Sequence, residues 1–287
     1  MRRLFLAGAM LAALLVPAAS ATAAPTGEFA VFAQCPTEKN LFLCIHNKTT
    51  AGSVTTGKKT VPIVNPVVLQ GGVEVNETTG ATQFYGAKNG VTLSKAAQPV
   101  PGGLLGIKAP TWWPDFAENW FNGLINEGFT GVTATVELAR PANEVKVDLN
   151  ALLSETNDPA VILPVKIKLD NAILGSNCYM GSSASPIYWK LTVGETSPPA
   201  PNKPIKGFVG NPETNEDGSI LRFFKQRLVD NSFATPATSG CGGLFAFLVD
   251  PLVSSVVGVP AAAGNNTAIL EGDMQTGYAP SVKASDP

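Results

Sequence analysis

Three stretches of the chain alternate apolar and polar residues with a period of two. In GVTATVELA, Val132, Ala134, Val136 and Leu138 share one face, and Thr133, Thr135 and Glu137 share the other. LPVKIKLD sets Val165, Ile167 and Leu169 against Lys166 and Lys168, and PIYWKLTV lines up Ile187, Trp189, Leu191 and Val193. Successive side chains of a strand point to opposite faces, so each stretch predicts a strand with one face on a core and one in water. EFAVFA, NLFLCI, VPIVNPVVLQ and NNTAILEGDM are weaker strand candidates. Gly, Pro and Asn clusters separate them. Many short strands joined by such turns predict an all-β fold: an antiparallel β-sandwich-like domain.

One segment changes period. In PTWWPDFAENWFNGLINEG, Trp113, Phe116, Trp120 and Leu124 recur at spacings of three and four, with Asp115, Glu118, Asn119 and Asn122 mostly opposite. Pro114 suits the first turn and Gly128 follows the end, so the spacing predicts one inserted amphipathic helix of about three turns. Its aromatic stripe packs on a sheet or, if exposed, offers Trp112, Trp113 and Trp120 to a sugar, a lipid interface or a partner. Trp112 lies off the stripe and is the one expected in solvent. A second helix is expected over GLFAFLVDPLVSSVVG, ended or kinked at Pro251. It is too short and interrupted for a membrane span.

The N-terminus adds a compartment. Arg2 and Arg3 precede an apolar run from Leu4 to Val16, and Ala21-Thr22-Ala23 follows with the small-x-small pattern of a cleavage site. The run is shorter than the roughly 20 residues needed to span a bilayer. Residues 1–24 therefore read as a signal peptide, and 25–287 as a secreted, extracellular chain with no transmembrane anchor after cleavage. That chain is expected to form a single β-rich domain, with a candidate subdomain junction near 100–130. The Pro-rich stretch TSPPAPNKP (196–204) reads as a stiff connection within it.

Export places the cysteines where thiols oxidise. The four present, Cys35, Cys44, Cys178 and Cys241, allow three pairings. Local closure has the lower entropic barrier, which favours Cys35–Cys44 and, with it, Cys178–Cys241. A metal site is the rival, but there is no C-x-x-C spacing and His46 is the sole histidine.

Charge removes other partners. Lys and Arg total 20 and Asp and Glu 22, falling to 18 against 22 once Arg2 and Arg3 are cleaved off. No basic run occurs, which argues against nucleic acid and against electrostatic attraction to anionic lipid. No cofactor motif is present.

Motifs for catalysis are equally sparse. The G-x-S-x-G elbow is missing, and a triad would have to recruit His46. Glu137, Glu144, Asp148, Glu155 and Asp170 could supply a glycosidase pair, yet Glu137 sits on the polar face of its strand. NPETNEDGSI spaces Glu213, Asn215 and Asp217 like a calcium loop. However, its twelfth position is Phe224, where a bidentate acid is needed, and Asp217-Gly218 signals a hairpin turn. Three sequons, at Asn47, Asn76 and Asn265, matter only in a eukaryotic secretory pathway, and the composition reads as bacterial.

VTATVELARP, LPVKIKLDNAILGSNCYMGS, TSPPAPNKPI, LVDNSFATPATSGCGG and GVPAAAGNNTAILEG, with QCP…LC and VPIVNPVVLQGG, together resemble an uncharacterised family of secreted proteins from high-GC Gram-positive bacteria. The likeness spans most of the mature chain. It implies export and disulfides and brings no activity, ligand or catalytic residue. The expected function is a non-enzymatic role, binding or structural, in the cell envelope or outside the cell, with an envelope glycan or lipid as candidate partner. A hydrophobic-ligand or lipid carrier, which needs an apolar internal cavity, and a hydrolase using paired carboxylates are the alternatives.

Overall fold

The structure, a computed structural model, describes residues 24–103, 112–119 and 131–285. Residues 1–23 of the expected signal peptide, Trp120 and Leu124 lie outside these residues. Among the described residues, fourteen strands form two antiparallel sheets of seven strands each.

The first sheet runs in the order β11 (Asn211–Thr214), β12 (Ile220–Asp230), β14 (Thr267–Tyr278), β1 (Leu43–Thr56), β3 (Val67–Val75), β4 (Thr82–Gly86), and β2 (Lys59–Pro62) pairs with β1. The long strands β1 and β14 form its spine, with Cys44 opposite Gly277 and Thr55 opposite Thr267. The expected turn at Asp217-Gly218 joins β11 to β12. Gly218 takes φ 70°, and Asp217 accepts the backbone N–H of Ser219 at 3.0 Å.

The second sheet is built around β8 (Val161–Asp170). β6 (Thr133–Leu138) and β7 (Lys146–Val147) share one edge of β8. β9 (Tyr179–Met180) and β10 (Ile187–Leu191) pair along the other. β5 (Gln98–Pro99) extends β6, and β13 (Thr238–Ser239) extends β9. Residues 161, 163, 165, 167 and 169 of β8 are all buried, as are Ile187, Trp189 and Leu191 of β10. This is the burial that the period of two predicts.

Pro164 is tolerated inside β8 for a local reason. The N and O of one strand residue face the same edge. Pro164 O accepts from Ala139 N at 2.8 Å, on the edge where β6 has ended and β7 has not begun. The missing N–H therefore faces a gap in the ladder.

Inward-facing residues of both sheets merge into one hydrophobic cluster, a sandwich-like arrangement. A smaller cluster gathers Phe32, Leu41, Ile220 and Val282 of α3 (Ala279–Ala284) around the Cys35–Cys44 disulfide. The second disulfide joins Cys178 to Cys241 and lies in the main cluster. Both pairings are those expected from the sequence.

Two strand expectations need correction, and one of the two readings of Pro251 is excluded. EFAVFA is not a strand but a 3-10 turn, Gly27–Phe32. Its apolar run is continuous rather than alternating, and the turn delivers Phe32 to the small disulfide cluster. VPIVNPVVLQ divides into β2 and β3, because the buried Gln98 side chain accepts the N–H groups of Val64 and Asn65 and holds a turn between them. Pro251 does not end its helix: α2 (Ala246–Val257) continues through it to Gly258 at φ 81°. Pro251 and Phe247, the residue whose carbonyl loses its partner, are both exposed, so water can satisfy that carbonyl.

The Pro-rich stretch is fastened at both ends. Thr196 and Ile205 exchange hydrogen bonds, and the Asn202 amide donates to the carbonyls of Asn231 and Asn266 at 2.9 and 2.8 Å.

Candidate functional site

The two sheets do not close completely on each other. Between them lies an apolar cavity of about 110 Å³. β1 contributes Ile45, Asn47 and Thr49 at alternate positions, and β6 contributes Val132, Ala134 and Val136 from the segment leading into and along it. Leu163 and Ile167 of β8 and Trp189 of β10 form more of the second wall. α1 (Leu149–Leu153) adds Leu152, held by the Asp148 carboxylate, which accepts Ala151 N at 2.9 Å as a helix N-cap. α2 closes one flank with Val253, Val256 and Val257.

A gap of this size has an energetic consequence. At roughly 24 cal/mol per Å³, a cavity of about 110 Å³ costs on the order of 2–3 kcal/mol in lost contacts unless something fills it. Its scale approaches that of apolar cavities that take up benzene and lies below the usual range for drug-sized ligands. A slender apolar molecule, an alkyl chain or a small ring, fits that range. A second depression of about 490 Å³, between Phe42, Leu153 and Tyr278, is open and mixed in polarity, and it shares Leu152 with the cavity. The more apolar and less open of the two has the stronger claim as a ligand site.

Polar groups at the cavity wall are few, and most are committed. Asn47 donates to the Gln226 amide oxygen at 2.7 Å, and Gln226 is itself buried. Gln98 holds the turn between β2 and β3. The indole N–H of Trp189 is different: the residue is 3% exposed, and this donor has no acceptor among the described residues. A buried donor left unpaired is costly, and its residue is one of those that line the cavity.

The residues singled out in the sequence lie elsewhere. His46 falls between the cavity-lining Ile45 and Asn47, hence on the opposite face of β1. Burial, aided by the charge of Lys48, pushes its pKa below 6.5. Glu137 bridges Lys95 and Lys166, both at 3.4 Å, and Asp170 pairs with Lys168 at 2.6 Å. Glu144 sits 4.0 Å from Arg140, Asp148 caps α1, and Glu155 occupies a turn at φ 50°. No group of three or more metal-ligating side chains occurs among the described residues.

Trp112 and Trp113 meet edge to face, their ring centroids 6.3 Å apart. Trp112 is 80% exposed and Trp113 half-buried. Phe116, expected on the buried stripe, is exposed. Pro114 sets the helix start at residue 115, so Phe116 falls in the first turn, ahead of the residues that would complete the stripe. Trp120 lies outside the described residues, so the three tryptophans are not seen together.

The cavity was not legible as a site beforehand, because inward-facing strand residues look the same whether they pack tightly or line a void. The fold and site define a two-sheet antiparallel β protein with an apolar interior cavity. The chain matches no family model, no curated protein and no solved structure. Among the described residues, no helix is long and apolar enough to cross a membrane.

Proposed function

We propose that this is an exported, non-enzymatic binding protein that carries a slender hydrophobic ligand between its two sheets. The observation that carries this reading is the apolar cavity between the sheets, walled by aliphatic and aromatic side chains from both sheets and from α2. The unpaired Trp189 N–H adds a preference for one hydrogen-bond acceptor on an otherwise apolar ligand, such as the carbonyl or carboxylate of an acyl chain. Two buried disulfides suit an oxidising compartment outside the cytosol. The cavity favours the carrier over a bare surface-binding role, and the ion-paired carboxylates favour it over a two-acid hydrolase.

Organic extraction and mass spectrometry of the purified protein, followed by titration with a fluorescent fatty-acid analogue, test the reading. A co-purifying apolar compound and saturable uptake of the probe are expected. A clean extract together with no saturable uptake overturns it.

A further inference from the structure

The helix that walls the cavity has a second face. Its inner side is fixed: Val253 and Val257 are buried, and Ser254 hydrogen-bonds Thr238 of β13. Its outer side, with the preceding 3-10 turn Gly243–Phe245, presents Leu244, Phe245, Phe247, Leu248 and Leu252 to solvent. The first of these is 93% exposed and the last 67%. Single exposed apolar residues are ordinary, but five large ones side by side call for a cover.

We infer that the outer face of α2 docks the protein on the surface of a phospholipid bilayer, with the cavity beside it as the place where the ligand enters or leaves. Three observations choose this occupant.

The first is charge. From Cys241 to Gly264 there is no Lys or Arg, and the one acid, Asp250, turns its carboxylate inward to the N–H groups of Gly240 and Cys241. The face therefore puts no charge into an apolar phase. The second is the rim. The N–H of Lys58 bonds Val257 O at 2.7 Å, which places the exposed Lys58 at the C-terminal end of α2. A lysine beside an apolar helix suits a headgroup phosphate, with its stem along the apolar region and its ammonium group at the phosphate. The third is continuity. Val253, Val256 and Val257 line the cavity from the same helix, so a ligand partitioned in a bilayer would be one helix thickness from its site. Exposed Phe and Leu side chains on a face without charge can bury into the boundary between headgroups and acyl chains.

The inference rests on the carrier reading only for the purpose of docking; the docking itself has its own test. Residues 25–287 contain both sheets and both disulfides and serve as the test protein. They should float with phosphatidylcholine vesicles in a density gradient. The double variant Leu248→Glu, Leu252→Glu should lose about tenfold or more in vesicle partitioning, with its melting temperature and its uptake of a fluorescent fatty acid unchanged. Ala134→Leu, inside the cavity, should do the reverse: it should lose uptake and keep vesicle binding. Failure of uptake thus strikes the carrier reading, and failure of flotation strikes docking.

Amide hydrogen exchange on the unmodified protein gives a readout free of variants: residues 244–256 should gain protection when vesicles are added. Docking is overturned if the unmodified protein stays out of the vesicle fraction, or if the double variant floats equally well. It is also overturned if protection appears only elsewhere, or if the protein is a dimer that the double variant dissociates, since a second copy would then cover the face.

Discussion

The carboxylate of Asp250 accepts the backbone N–H of Cys241 at 2.8 Å, and its other oxygen takes the N–H of Gly240 at 3.1 Å. Asp250 belongs to α2, and Cys241 is tied by its disulfide to Cys178 beside β9. One carboxylate thus joins the helix to the covalent anchor of the second sheet and also keeps the outer face of α2 free of charge. Asp250→Ala leaves two backbone donors without their acceptor. It should lower unfolding free energy by about 2 kcal/mol, the usual scale for losing a charge-assisted hydrogen bond, measured by denaturant melts at neutral pH.

The cavity should accept added carbon at a gain in stability. Ala134 lines it and is buried, so Ala134→Leu places new methyl groups where contacts are missing. Stability should rise by about 1–2 kcal/mol, and uptake of a fluorescent fatty acid should disappear. A loss of stability with uptake intact would mean that the wall at Ala134 is already fully packed.

Trp189→Phe separates shape from hydrogen bonding. Phenylalanine keeps most of the ring and removes the orphan N–H, so folding stability should stay within about 1 kcal/mol of the parent. Affinity for a fatty acid should fall by up to roughly tenfold, and affinity for an alkane should change little. Equal losses for both ligands would place the acceptor-binding group elsewhere.

How much of this was readable in the chain depended on bulges and on what stood outside the sheets. β6, β8 and β10 were legible because their ladders run without a register shift, so Val165, Ile167 and Leu169 keep one face throughout. β12 carries no such signal. Its register breaks between Phe223 and Gln226, with Lys225 at φ 59°, and the inward set switches phase at that point. β1 slips in the same way between Thr49 and Ala51. The disulfides followed from compartment and spacing. The cavity did not, since Val132, Ala134 and Val136 point inward in either a solid or a hollow core. Nor did the exposed face of α2, because an apolar run such as LFAFLVDPLV reads as buried unless the surroundings are known.

The two disulfides should differ in worth. The bridge Cys178–Cys241 spans a sequence separation of 63, against 9 for Cys35–Cys44. In the chain-entropy account the longer loop contributes roughly 4 kcal/mol and the shorter about 3 kcal/mol or less. Cys178→Ser with Cys241→Ser should therefore lower the denaturation midpoint more than Cys35→Ser with Cys44→Ser. Because Cys241 also anchors α2, the first pair should further raise hydrogen exchange in residues 246–257.

His46 makes stability depend on pH in one direction. Its pKa is lowered first by burial and then by the charge of Lys48, with a hydrogen bond to its own backbone opposing them. The folded-state pKa therefore lies below the unfolded value of 6.5, so at neutral pH the imidazole of the folded chain is more fully neutral than that of the unfolded chain. Well above 6.5 neither state is protonated at this site and the contribution to stability is complete. As pH falls from 6.5 towards the folded-state pKa, the unfolded chain binds the proton first and stability is lost. His46→Gln should flatten that part of the curve, so the difference in melting temperature between parent and variant should shift between neutral and mildly acidic pH. With a single histidine in the chain, the imidazole proton resonances report its titration without overlap, and a midpoint at or above 6.5 in the folded protein would contradict the sign.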